Sequence, residues 1–134
     1  MEPRLSVIIL AVKNVEQSTA FYQALGFPID EQHNDVTFFK LSGIKLAVLD
    51  RTFLERDSGV ALNKEGYSPF NACHMVSSKN EVDHVTGEAL KAGATIVRPA
   101  KIAIWGGYSG FFKDPDNNLW EIGYEQGWVD GATS

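Results

Sequence analysis

The sequence has little that would place the protein outside a reducing compartment or within a membrane. Cys73 is its single cysteine, so an intrachain disulfide is excluded. The first apolar run, Val7 to Val12, is far too short to span a bilayer, and no basic segment precedes it as in a signal peptide. We therefore expect a cytoplasmic protein with no membrane partner.

Basic segments are also missing. The 134 residues include 12 Lys and Arg against 17 Asp and Glu, a formal net charge of -5, and no local run of basic residues offsets this balance. A negatively charged surface repels the phosphate backbone of DNA and RNA. The composition therefore argues against a nucleic-acid partner.

The sequence does have enough apolar residues for a core, 44%, and one order of elements occurs twice. Residues 5–12 are mostly apolar and rich in β-branched side chains, which is typical of a strand. Asn14 then caps a helix, and three strands follow up to Leu49. From Asn71 the same order repeats, with Ser78 as the helix cap. The sequence predicts one α+β domain of two βαβββ modules, at about 4–50 and 70–126, with a linker at about 51–69 that contains a short helix near 53–56.

The last strands of the two modules match in their spacing. The letters Phe38-Phe39-Lys40 correspond to Phe111-Phe112-Lys113, and a leucine follows six residues after each lysine. Two residues after these leucines, Val48 of the first module occupies the position that corresponds to Glu121 of the second. The same comparison of the first strands makes Val7 correspond to Asn71.

An insertion of six residues, around the letters IAIWGGYSG, distinguishes the second module from the first. It places Trp105 and Tyr108 beside glycines. Aromatic rings with polar tips commonly line small-molecule sites, so we interpret both residues as part of a loop over a cavity opening. The alternative is that both belong to the core. The segment 114–117 that follows is predicted to be a structural turn, because Pro115 fixes its own φ and Asn117 tolerates a left-handed backbone.

The doubled module, the segment VKNVEQSTAFYQALGF in its first half and the segment YSGFFKDPDNNLWEIGYE near its end resemble the vicinal oxygen chelate superfamily. This superfamily includes glyoxalase I, bleomycin resistance proteins, extradiol dioxygenases and fosfomycin resistance enzymes. The resemblance implies that each module curls its strands into half a barrel with its helix outside, and that paired modules enclose a cavity. It does not imply one reaction, because the scaffold hosts unrelated chemistries.

Metal-dependent members of this superfamily place one ligand on the first strand and one on the last strand of each module. Carried over through the internal register, these positions are Val7, Val48, Asn71 and Glu121. Of these, Glu121 alone has a side chain that usually binds metals, whereas a divalent ion needs several anionic or imidazole ligands. We therefore expect no cofactor, and a bound divalent metal is disfavoured.

The candidate site is a cavity that binds a small organic molecule. Glu121 either accepts a hydrogen bond or a cation from the ligand, or acts as a general base; the alternative is a solvated strand carboxylate. Cys73 shares a face with Asn71, and the sequence gives no sign of the lowered pKa that a nucleophilic thiol needs. The residues predicted to line the cavity are Val7, Ile9, Val48, Asn71, Cys73, Trp105, Tyr108 and Glu121.

Two classes of function stay open at this point. The leading hypothesis is a metal-free protein that binds a small organic molecule, with sequestration of a cationic ligand as a special case. The competing hypothesis is a glyoxalase-like lyase or a dioxygenase that uses Glu121 as a base or a metal ligand. We also expect a homodimer, because half-barrels leave open sheet edges.

Overall fold

The computed structural model describes residues 1, 3–59, 61–62, 71–104 and 106–127. The strands are β1 (Val7–Val12), β2 (Ile29–Gln32), β3 (Val36–Lys40), β4 (Lys45–Asp50), β5 (Asn71–Met75), β6 (Thr95–Ile102), β7 (Tyr108–Lys113) and β8 (Leu119–Tyr124). The helices are α1 (Val15–Ala24), α2 (Arg51–Ser58) and α3 (Lys79–Ala92). The chain divides into two compact units, unit 1 (Met1–Glu65) and unit 2 (Gly66–Ser134). The predicted fold of two βαβββ modules is confirmed, and α2 lies in the predicted linker.

Unit 1 contains a four-stranded sheet in the order β1-β4-β3-β2, with β1 parallel to β4 and the other neighbours antiparallel. Helix α1 begins where the sequence predicts, because the Asn14 side chain accepts a hydrogen bond from a backbone N–H of the first turn at 2.9 Å. The helix covers one face of the sheet. On that face Tyr22 and Phe39 are buried, and the hydroxyls of Thr19 and Thr37 are hydrogen-bonded at 2.8 Å.

Unit 2 repeats this arrangement in the order β5-β8-β7-β6, with β5 parallel to β8. The Ser78 hydroxyl caps α3 by accepting the backbone N–H of Glu81 at 3.1 Å, and Gly93 ends the helix with a left-handed φ of 116°. Under α3 the rings of Phe112 and Trp120 stack with centroids 6.1 Å apart, so Trp120 faces the helix as predicted. No helix within the described ranges is long and apolar enough to cross a membrane.

The turn between β7 and β8 is one residue longer than the turn between β3 and β4. Across the first turn Lys40 pairs with Lys45, five positions later, whereas across the second Lys113 pairs with Leu119, six positions later. The longer turn contains Asn117 at a φ of 69°, the left-handed conformation that its side chain tolerates. The prediction of a structural turn at this place is confirmed.

This difference in turn length corrects the predicted register of unit 1. Phe111 pairs with Glu121, and its counterpart Phe38 pairs with Ala47. The position equivalent to Glu121 is therefore Ala47, and the prediction for Val48 is wrong by one residue. Because neighbouring strand residues point to opposite faces, Val48 lies on the face that α1 covers, beside Leu10, and is fully buried.

Candidate functional site

The sheet of unit 2 has one face covered by α3 and an opposite face with a row of chemically active side chains. In the parallel pair, Cys73 of β5 lies beside Glu121 of β8. Glu121 lies opposite Phe111 of β7, and Phe111 lies opposite Arg98 of β6. Directly paired residues share a face, so these four side chains cross the sheet in one line. We call them the Glu121 row.

Cys73 and Glu121 interact directly at one end of this row. Partial burial raises the pKa of the Cys73 thiol, and the negative charge of Glu121 and a hydrogen bond to its carboxylate raise that pKa further. The Sγ atom also lies 3.7 Å from the Sδ of Met75. At neutral pH the thiol is protonated, so it donates a hydrogen bond and is a poor nucleophile.

Arg98 and Phe111 form the other end of the row. The guanidinium carbon lies 5.0 Å from the centroid of the Phe111 ring, within the range of a cation–π contact. Its Nη2 donates a hydrogen bond to the fully buried hydroxyl of Ser109 at 2.8 Å, and its Nη1 donates to the carbonyl of Pro99 at 3.4 Å. The ring and the hydroxyl together hold the guanidinium on this face of the sheet.

The sequence did not reveal Arg98 as a site residue, and a β-bulge explains why. Ile96 pairs with Phe112 and Arg98 pairs with Phe111, so Val97 is the extra residue of the bulge. Strict alternation would place Arg98 on the same face as Ile96, under α3. The bulge instead turns Arg98 to the face of Glu121. Pro99, within the predicted strand, was the available signal of an irregular strand.

Tyr108 requires a correction. It is the first residue of β7 and pairs with Tyr124, so it lies on the α3-covered face and not on the face of Glu121. Its hydroxyl donates a hydrogen bond to Asp83 of α3 at 2.8 Å, which raises the pKa of Tyr108, and the Nζ of Lys79 lies 5.9 Å from the ring centroid. The prediction that Tyr108 and Glu121 line one surface is wrong, because β7 begins earlier than the predicted loop allowed.

The other predicted lining residues are placed as follows. Asn71 lies in β5 two residues before Cys73, and the structure describes its backbone alone. Trp105 lies outside the described residues. In unit 1, Val7 and Ile9 lie on the face that α1 does not cover, and Ile9 pairs with Ala47 and is 48% exposed.

The described residues of unit 2 do not fit a divalent metal site. Glu121 has beside it the Cys73 thiol, which is protonated at neutral pH, whereas a metal ion binds the thiolate. His74 pairs with Ile122 and so lies on the α3-covered face. In the part of the chain that the structure describes, no group of three or more His, Cys, Asp or Glu side chains is arranged to hold a metal ion. The absence of a metal cofactor stays a prediction.

Comparison with known protein families gives a match over most of the chain. The model of the Glyoxalase/Bleomycin resistance protein/Dioxygenase superfamily matches residues 4–122, which reach from the start of unit 1 into β8. No curated protein matches the sequence.

Several solved structures have the same fold over nearly their whole length. A glyoxalase-related enzyme from Fulvimarina pelagi is 30% identical with a TM-score of 0.89, and the match covers 97% of this chain and 94% of that one. A hypothetical protein from S. aureus is 23% identical with a TM-score of 0.82, covering 93% and 95%. A genomically encoded fosfomycin resistance protein from Listeria monocytogenes is 25% identical with a TM-score of 0.70, covering 93% and 95%.

Proposed function

The chain belongs to the glyoxalase/bleomycin resistance protein/dioxygenase superfamily, and from this premise we propose that it binds a small organic molecule on the Glu121 row, without a metal ion. The observation that carries the proposal is the pairing of Glu121 with a protonated thiol on one side and an aromatic ring on the other. Small-molecule sites combine apolar walls with a few polar groups that fix orientation.

Each member of the row has a separate task in this proposal. The face of the Phe111 ring that the Arg98 guanidinium does not cover packs against the apolar body of the ligand. Glu121 accepts a hydrogen bond from an ammonium, hydroxyl or amide group of the ligand, because an ionised carboxylate is an acceptor and not a donor. The Cys73 thiol offers one weak donor to a ligand oxygen or to Glu121. Such a site retains its ligand without chemical change.

A comparison of Glu121→Gln with Glu125→Gln tests the proposal. Both substitutions remove one negative charge, but Glu125 is exposed and follows the end of β8. We expect a library of small aromatic amines, alcohols and amides to contain ligands that shift the amide resonances of Cys73 and Phe111 in ¹⁵N-labelled protein. Loss of a hydrogen bond to a charged group should weaken these ligands about tenfold in Glu121→Gln and leave them unchanged in Glu125→Gln.

Two results of this experiment would contradict the proposal. One is equal affinity of the same ligands for both variants and the unaltered protein. The other is a set of shifted resonances confined to α3 and its side of the sheet.

An enzyme is the second candidate, and one observation favours it: the 30% identical structure is described as that of a glyoxalase-related enzyme. In this case Glu121 acts as a general base or as a metal ligand. Elemental analysis of protein purified without chelators separates the two candidates, because stoichiometric nickel, zinc or iron would overturn the metal-free proposal. Turnover of the methylglyoxal–glutathione adduct after addition of divalent metals would support a lyase.

A further inference from the structure

Arg98 holds a positive charge on the Glu121 row and has no acidic partner among the described residues. Its hydrogen bonds go to a hydroxyl and a backbone carbonyl, and its ring contact goes to Phe111. Among the described acidic side chains, none forms an ion pair with it. An arginine has five N–H donors, so further donors lack a partner among the described residues. This positive charge lies on a half-buried residue of a chain whose formal net charge is -5.

The repeated fold provides an internal comparison. Phe38 of unit 1 is equivalent to Phe111, and it too has a cation over its ring, since the Nζ of Lys45 lies 5.9 Å from the ring centroid. That cation is compensated within the unit, because the Lys45 Nζ lies 2.7 Å from a carboxylate oxygen of Asp30. The two cations lie over equivalent aromatic rings but come from different strands, Lys45 from β4 and Arg98 from β6, and the residue of β2 that pairs with Phe38 is Glu31. The cation of unit 1 has a carboxylate partner, and that of unit 2 has neutral partners.

We propose that Arg98 binds the anionic group of the ligand. The fixed fork of the guanidinium matches the oxygens of a carboxylate or a phosphonate, and an external anion would supply the counter-charge that Asp30 supplies to Lys45. Ser109 is the positioning residue, since its buried hydroxyl fixes the Nη2 end of the guanidinium. This inference rests on the proposed binding function and specifies the class of ligand.

The row also sets the arrangement of groups on that ligand. Neighbouring strands are about 4.8 Å apart, so the backbones of Arg98 and Glu121, two strands apart, are separated by roughly 10 Å. Their side chains reach toward a ligand from either side of the Phe111 ring. The ligand class is therefore a small molecule with an oxyanion at one end, an apolar or aromatic body, and a hydrogen-bond donor or ammonium group at the other end.

Five simple probes test these elements separately by titration into the ¹⁵N-labelled full chain. They are benzoate, phenylphosphonate, benzyl alcohol, benzylamine and 4-(aminomethyl)benzoate. We expect benzoate to bind about tenfold more tightly than the neutral benzyl alcohol, which is the usual gain of a charge-assisted hydrogen bond. The probe 4-(aminomethyl)benzoate carries both charges and should bind more tightly than benzoate or benzylamine, which carry one charge each. Comparing the affinities of benzoate and phenylphosphonate shows which oxyanion the site prefers.

Variants assign the effect to Arg98. Arg98→Gln should abolish the preference for benzoate over benzyl alcohol, and Arg98→Lys should restore part of it. Arg56→Gln is the matched control, because Arg56 also lies over an aromatic ring, 5.9 Å from that of Phe53, but on helix α2 of unit 1. Its benzoate affinity should equal that of the unaltered protein.

The outcomes separate failure of this inference from failure of the proposed function. If benzylamine or benzyl alcohol shifts the resonances of the Glu121 row while benzoate binds no better, the binding function stands and the role of Arg98 is overturned. The role of Arg98 is also overturned if Arg98→Gln keeps the preference for benzoate. If no probe shifts a resonance of unit 2, both are overturned. The comparison of benzoate with benzyl alcohol uses the unaltered protein and holds even if Arg98→Gln fails to fold.

Discussion

At the scale of single residues, Cys73 and Glu121 show how two neighbouring groups determine each other's chemistry. They lie side by side on parallel strands, where the carboxylate opposes the formation of a second negative charge on the thiol. The sequence suggested both residues as site candidates, because alternation along β5 and β8 places them on the face opposite Trp120. It did not reveal their mutual contact, which depends on the register between two strands that are distant in sequence.

The raised pKa of Cys73 predicts a specific change in its reactivity. Below the pKa of a thiol, each unit of pKa changes the thiolate fraction tenfold, and the thiolate is the form that reacts with iodoacetamide. Glu121→Gln removes the negative charge and lowers the pKa of Cys73 toward its ordinary value, although the effect of burial remains. The rate of alkylation at pH 8 should therefore rise.

This rate is simple to measure, because Cys73 is accessible to solvent, although neighbouring protein atoms surround part of its thiol, and it is the single cysteine of the chain. Mass spectrometry follows the modified fraction with time. Glu125→Gln controls for the general loss of one charge and should react at the rate of the unaltered protein. Equal rates for Glu121→Gln and the unaltered protein would show that the two side chains are not coupled.

At the scale of elements, strand β6 explains most of what the sequence could not predict. Helix starts at Asn14 and Ser78 follow from the chemistry of side chains that accept hydrogen bonds from the next turn, and both are confirmed. Irregularities in strands leave a weaker signal, since one extra residue reverses every later face without changing composition. The bulge at Val97 concealed Arg98, and the longer turn after β7 shifted the predicted partner of Glu121 by one position.

Gly110 permits the close approach of β6 and β7 at this irregular place. A Cβ atom built at Gly110 would lie 3.1 Å from the backbone N and 3.2 Å from the Cα of Ala100, and 3.3 Å from the carbonyl oxygen of Arg98. Because these are backbone atoms, Gly110→Ala requires a shift of β6. We expect a loss of roughly 1–3 kcal/mol in the free energy of unfolding, measured by urea denaturation. The same shift should weaken benzoate binding.

Gly87→Ala is the control for this substitution. Gly87 lies within α3, and a Cβ atom there meets no atom within 4 Å. Since alanine is the better helix former, this variant should be more stable than the unaltered protein by up to about 1 kcal/mol. Opposite signs for the two variants support the close approach of the strands, whereas an unchanged stability of Gly110→Ala would contradict it.

At the scale of the whole molecule, one topology occurs twice with different side chains on the equivalent faces. In unit 1 the positions that correspond to Cys73, Glu121 and Phe111 are Ile9, Ala47 and Phe38. The aromatic residue is common to both units, while the thiol and the carboxylate belong to unit 2. The duplication was predictable because the two halves of the sequence have similar spacings of strand and helix residues. The different side chains at equivalent positions could not be predicted, because identifying those positions required the strand register of both units.

The open edges of the two sheets carry the last prediction, a homodimer. Within the described residues, the two edge strands of each sheet pair with a neighbouring strand on one side only. They are β1 and β2 in unit 1 and β5 and β6 in unit 2. Exposed apolar side chains mark two of these edges, with Ile9 48% exposed on β1, and Val97 49% and Ile102 59% exposed on β6. Unpaired edges with apolar residues favour association with a second copy.

Static light scattering after size exclusion at micromolar concentration should give twice the mass of the chain, with a mass that falls on dilution. A single chain mass at every concentration would exclude the dimer, and the edges would then have to be protected within one chain.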